Sequence, residues 1–122
     1  FPIPELHPQA FQAAVAAECA ADQGKFWVYH DNLFQRLGAR TVDYSPAGLT
    51  SYAVGFQLDA AKFDACLRDD KITARINADR QEGNRLGVRG TPTFFINGQQ
   101  LVGAQPYEAF KAAFDAALSA RN

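Results

Sequence analysis

The sequence predicts an α/β fold in which helix dominates and a single hairpin near the C-terminus supplies the sheet. Three observations carry that prediction. Apolar residues recur at helical spacing from Phe11 to Leu86, interrupted at Gly24, Gly38, Pro46 and Asp59. Thr93-Phe94-Phe95-Ile96 is a β-branched and aromatic run of strand length, and Asn97-Gly98 behind it is the strongest short-range hairpin signal. Gly87, Gly90 and Pro92 separate the last long helix from that hairpin. The chain therefore closes as helix, Gly-x-Pro loop, hairpin, helix.

Each element has its own justification. Phe1-Pro2-Ile3-Pro4 is held extended by prolines at alternate positions. His7-Pro8 opens an Ala-rich helix, with His7 at its start, on which Phe11, Val15 and Cys19 form one stripe; Gly24 terminates it. A second helix over 25–37 carries Phe26, Trp27, His30, Leu33, Phe34 and Leu37 on one broad face, with Gly38 at its C′ position. Ser45-Pro46 reads as the N-cap and first residue of a third helix bearing Leu49, Tyr52, Ala53 and Phe56. Asp59 caps a fourth, whose face holds Phe63, Cys66 and Leu67. A longer helix over 71–86 has the stripe Ile72, Ile76, Gly83 and Leu86. Asp79 interrupts it, either as a rim carboxylate paired with Arg75 at i, i+4 or as a buried one held by hydrogen bonds. Glu82 and Arg85, at i, i+3, read as a solvated surface pair. A last helix starts at Pro106 and runs to about position 120, with Tyr107, Phe110, Phe114 and Leu118 as its expected buried stripe.

Composition bounds the function. A chain of 122 residues, 48% hydrophobic and with ten Phe, is one domain's worth of sequence with material for a sizeable core. Twelve Lys and Arg against thirteen Asp and Glu leave a net charge of −1, which argues against nucleic acid or an anionic membrane surface as partner. No apolar run approaches the length that crosses a bilayer. The chain opens on Phe1 and contains no Met, so a processed, proteolysed or truncated segment is expected. Its two cysteines, Cys19 and Cys66, form neither a Cys-x-x-Cys centre nor a zinc-ligand pattern, and no metal or cofactor is expected. Two buried free thiols and a structural disulfide both fit these positions.

The wording of the closing segment goes further. Gly87-Val88-Arg89-Gly90-Thr91-Pro92-Thr93-Phe94-Phe95-Ile96-Asn97-Gly98 resembles the cis-proline loop of the DsbA-family thiol–disulfide oxidoreductases, whose fold is thioredoxin-like with a helical insertion. Ala17-Glu18-Cys19-Ala20, Gln23-Gly24-Lys25-Phe26-Trp27 and His30-Asp31-Asn32-Leu33-Phe34 resemble the first two helices of that insertion. Phe63-Asp64-Ala65-Cys66-Leu67 resembles a later one, and Gly103-Ala104-Gln105-Pro106-Tyr107 the start of the final helix. The resemblance spans essentially the whole chain. It implies a helical insertion domain over 1–70 and the C-terminal half of a thioredoxin-like domain over 71–122, with Phe1 just after the family's third strand. It implies that Thr91 and Pro92 bind substrate, Thr91 offering its N–H and C=O to an extended peptide beside a cis bond. It implies that Cys19 and Cys66 form the second, non-catalytic bridge present in some members, worth roughly 4 kcal/mol on the loop-entropy account. The implied partner is a cysteine-containing protein or peptide, and the implied location periplasmic or otherwise extracytoplasmic.

The family's reactive pair is absent from these residues. Disulfide exchange needs a thiolate whose pKa is lowered, as at a helix N-terminus. Cys19 and Cys66 each fall mid-helix on an apolar stripe, so no catalytic residue is assigned. The chain reads as a portion of a DsbA-like oxidoreductase that is inactive alone, and self-association or a missing N-terminal half is expected to complete its sheet. Two rival readings are a redox-inactive peptide-binding module of the same fold and a relative of the kappa-class glutathione transferases and isomerases. His30 reads as a packing or capping histidine before a general base. Trp27 reads as core or interface packing before a ligand platform.

Overall fold

The computed structural model describes residues 1–120; Arg121 and Asn122, the end of the segment assigned to the second domain, lie outside the described residues. The elements are α1 (Ala10–Ala21), α2 (Phe26–Gly38), α3 (Pro46–Gly55), α4 (Ala60–Cys66), α5 (Asp70–Arg85), β1 (Thr93–Ile96), β2 (Gln99–Val102) and α6 (Tyr107–Ser119). Local chemistry sets most of their ends. Gly24 adopts φ +73°, and the N–H groups of Gly24 and Lys25 turn back to the carbonyls of Ala21 and Ala20, each at 2.8 Å. Ser45 Oγ accepts the N–H of Gly48 at 3.1 Å, with Pro46 opening α3, and Asp59 Oδ1 accepts the N–H of Lys62 at 3.0 Å. The end of α2 differs from expectation. Gly38 stays helical, and Arg40 takes the left-handed conformation at φ +56°. Pro106 is the N-cap of α6 and not its first helical residue.

The chain forms two compact units, Phe1–Glu82 and a second from Gly83 onward. In the first, α1 to α4 and the first turns of α5 surround one core. Ala16, Ala20 and Ala53 are fully buried and let the helices approach closely around Phe63, Tyr29, Leu49 and Tyr52. Burying a side chain such as Phe63 contributes about 1.5–3 kcal/mol. The Tyr29 hydroxyl, carried inside by its ring, donates to the Leu49 carbonyl at 2.9 Å. Ile72 and Ile76 bring α5 into this same core. Arg75 reaches Glu18 on α1 instead of pairing with Asp79 as expected, and Asp79 is exposed. Electrostatics thus tie α5 to α1 from the rim.

Three expected stripes are only partly covered. On α2 the buried residues are Tyr29 and Leu33, while Trp27, Phe34 and Leu37 are exposed. On α5, Leu86 is exposed. On α6, Tyr107, Phe114 and Leu118 are exposed, and the better covered face is Phe110, Ala113 and Ala117. The reason is shared. Periodicity reports how wide an apolar arc is, not how much of it the remaining chain reaches.

Candidate functional site

The segment 87–103 builds the site. Gly87, at φ +80°, ends α5, and the N–H of Val88 returns to the Gly83 carbonyl at 2.9 Å. The chain then runs through Gly90, Thr91 and Pro92, the Thr91–Pro92 peptide being cis, and both Thr91 and Pro92 are exposed. Thr93 Oγ1 donates to the Gly90 carbonyl at 2.7 Å, folding the loop onto the start of β1. The Pro92 carbonyl accepts the N–H of Gly103 at 2.8 Å, which fixes the loop to the far end of β2.

Beyond the loop the hairpin register decides which groups are free to bind. Asn97 and Gly98 take φ +47° and +83°, the pair of positive values that a two-residue type I′ turn requires. Ile96 then faces Gln99 and Phe94 faces Leu101, in an antiparallel two-stranded sheet. Pairs exchanging hydrogen bonds alternate along an antiparallel ladder, so Ile96, Phe94 and Pro92 spend their main-chain groups on β2. Thr93 and Phe95 point theirs outward. The site is therefore an exposed loop, Thr91-Pro92, continued by an outer edge at Thr93 and Phe95. Sequence reading placed Thr91 and Pro92 but did not single out Thr93 and Phe95. The signal that finds them is the two-residue turn, because it alone sets which alternate residues face out.

The sheet's two faces differ. Phe94 meets Phe110 of α6 edge-to-face, with ring centroids 4.9 Å apart. Phe95 lies on the opposite face and is exposed. Asn97 Nδ2 also reaches the Ala117 carbonyl at 3.5 Å, placing the hairpin tip near the end of α6.

In the first unit Cys19 and Cys66 are joined by a disulfide with a Cα separation of 5.7 Å, linking α1 to α4. Cys19 is 1% exposed and lies well inside α1. The side chain of Gln23 binds Asp59 through both its amide groups, at 2.8 and 3.2 Å, and reinforces the same junction. His30 contacts Asp31 through Nδ1 at 2.9 Å, and its ring lies against Phe34 with centroids 4.7 Å apart. Among the described residues no group of three or more His, Cys, Asp or Glu side chains could hold a metal ion, and no helix is long and apolar enough to cross a membrane.

A disulfide-clamped helical bundle followed by a Gly-Thr-Pro loop, a hairpin and a helix is the arrangement of a DsbA-type thioredoxin-like fold with a helical insertion. Residues 1–115 match the family model of the DSBA-like thioredoxin domain, and the chain belongs to that family. It is 40% identical over 97% of its length to a protein of Salinispora arenicola named Na(+)/H(+) antiporter NhaA 1, and 40% identical over the same share to Na(+)/H(+) antiporter NhaA 3 of Salinispora tropica. It is 34% identical over 90% of its length to Na(+)/H(+) antiporter NhaA of Herminiimonas arsenicoxydans. The chain spans 17–18% of the length of these relatives. No solved structure matches it.

Proposed function

We propose that this chain is the substrate-holding portion of a DSBA-type thiol–disulfide exchange protein acting on cysteines of other polypeptides, the exchanging dithiol lying outside these 122 residues. The observation that carries this reading is the exposed Thr91-Pro92 loop running straight into a strand whose Thr93 and Phe95 main-chain groups β2 does not use. A peptide laid along such an edge gains main-chain hydrogen bonds whatever its side chains are. That suits an activity on many substrates. In the exchange a thiolate attacks one sulfur of a disulfide, a new S–S bond forms, and the displaced sulfur leaves as a thiolate. Holding the substrate extended presents one of its sulfurs to that attack. Cys19 and Cys66 serve as a clamp in this reading, since Cys19 is buried well inside α1 and Cys66 is the last residue of α4, so neither stands at the helix N-terminus that activates a thiol. The bridge and the family together support an oxidising, extracytoplasmic setting.

The test is peptide titration followed by amide resonances. An extended cysteine-containing peptide is expected to shift Thr91, Thr93 and Phe95; binding that leaves all three unmoved overturns the reading. The chain alone is expected to neither reduce insulin nor oxidise a reduced protein catalytically. Turnover that depends on Cys19 or Cys66 would reassign those residues.

A second reading, as a module working beside a membrane Na(+)/H(+) antiporter, draws support from the name and length of the relatives. It keeps the same role for the loop and adds a location. A gene whose flanking coding sequence specifies no antiporter removes it.

A further inference from the structure

The hairpin has two edges, and its own chain treats them differently. The register that turns Thr93 and Phe95 outward on β1 turns Gln100 and Val102 outward on the far side of β2. There the Val102 carbonyl is already occupied, accepting Nε2 of Gln105 at 2.7 Å. The chain bends to bring that amide back. Gly103 takes φ +86°, and the Gln105 N–H returns to the Gly103 carbonyl at 3.0 Å in a three-residue turn. Pro106 behind it keeps Gln105 out of α6. The Gln105 amide therefore stands where the N–H of an arriving strand would have to stand. On β1 no such cap is present among the described residues. The Thr93 hydroxyl turns to the Gly90 carbonyl at 2.7 Å, and the main-chain groups of Thr93 and Phe95 stay open.

We propose that Gln105 closes the outer edge of β2, so that an extended polypeptide strand adds to the hairpin at β1 only, beside Thr91 and Pro92. A strand arriving on β1 can bond at both Thr93 and Phe95. On β2 it bonds freely at Gln100, but at Val102 it must first displace Gln105. A main-chain hydrogen bond forgone in this way is worth about fivefold in binding. The same closure limits self-association. A hairpin open at both edges pairs onward without end, whereas one open at a single edge stops at two copies. The proposal rests on the thiol-exchange reading for what lies along β1. It adds the residue that confines the strand to that side.

Gln105 is exposed, so Gln105→Ala and Gln105→Met remove its amide donor without touching a core. The probe is an extended cysteine-containing peptide, titrated against the full chain and both variants while amide resonances are followed. In the unsubstituted chain Thr93 and Phe95 are expected to move, and Gln100 and Val102 to stay. In both variants Gln100 and Val102 should move as well, with affinity at that edge raised by about fivefold. Sedimentation of the same three chains without peptide gives an independent reading. The variants should pass the mass of a pair, and the unsubstituted chain should not. Equal movement on both edges of the unsubstituted chain overturns the proposal, and so do variants that match it in both measurements. Where Thr91, Thr93 and Phe95 stay still but the variants pass the mass of a pair, the thiol-exchange reading fails and the closed edge stands. Where those three residues move and the variants change nothing, the closed edge fails and the thiol-exchange reading stands.

Discussion

At the scale of single residues the core depends on a polar group taken inside by its ring. Burial, and secondarily the nearby Tyr52, pushes the Tyr29 phenol well above its ordinary value of 10.0. The neutral form is thus favoured in the fold, so its contribution is complete below pH 10 and is lost as the pH climbs above that value, where the unfolded chain ionises first. Tyr29→Phe is expected to cost about 1 kcal/mol at neutral pH by leaving the Leu49 carbonyl without its donor. It should also flatten the fall in stability above pH 10, which denaturant titrations at two pH values would measure. Asp43 shows the opposite sign at the surface. Hydrogen bonding by Ser45, first from its side chain and then from its backbone N–H, holds the carboxyl below its ordinary range. Its stabilising effect is present at neutral pH and lost as the pH falls through the lowered value.

At the scale of elements the sequence was most informative where one local rule decides. Ser45, Asp59 and Gly24 mark helix ends because capping and left-handed φ are settled by nearest neighbours. β1 has the limits read from Thr93 to Ile96, and β2 pairs with it over Gln99–Val102, since a two-residue turn at Asn97-Gly98 leaves no freedom of register. Tyr29 was not legible, because a hydroxyl-bearing ring between two apolar positions gives no sign of which way it turns. The wide arcs of α2 and α6 were legible as apolar but not as uncovered, because coverage depends on what else the fold brings near. The clamp between α1 and α4 is the element-scale feature most open to test. Reduction, or Cys19→Ala with Cys66→Ala, frees a loop with a sequence separation of 47 residues. It should destabilise the helical unit by roughly 4 kcal/mol on the loop-entropy account. Equal unfolding midpoints with and without reductant would show that Gln23, Asp59 and the Arg75–Glu18 pair already hold the same junction.

At the scale of the whole molecule the two units are unequal. Among the described residues the first holds nearly every buried apolar side chain, and the second holds only Val88. The second unit has an edge whose Thr93 and Phe95 groups face away from β2, a sheet face with Phe95 exposed, and on α6 an exposed stripe of Tyr107, Phe114 and Leu118. A two-stranded sheet is marginal in water, and stable sheet edges are normally blunted by charge, proline or a bulge. β1 has none of these within its four residues. A strand on the edge together with a helix on the Phe95 face would satisfy both wants at once. We therefore expect the hairpin amides of Phe94, Ile96 and Leu101 to exchange with solvent far faster than those of Ala16 and Cys19, which open only with the helical core. We also expect either sedimentation above the monomer mass, through pairing of hairpins, or protection of those amides when a polypeptide able to supply a strand and a helix is added. A monomer at all concentrations, whose hairpin amides are protected as strongly as Cys19, would mean that the hairpin and α6 are self-sufficient and that the edge at Thr93 and Phe95 needs no partner.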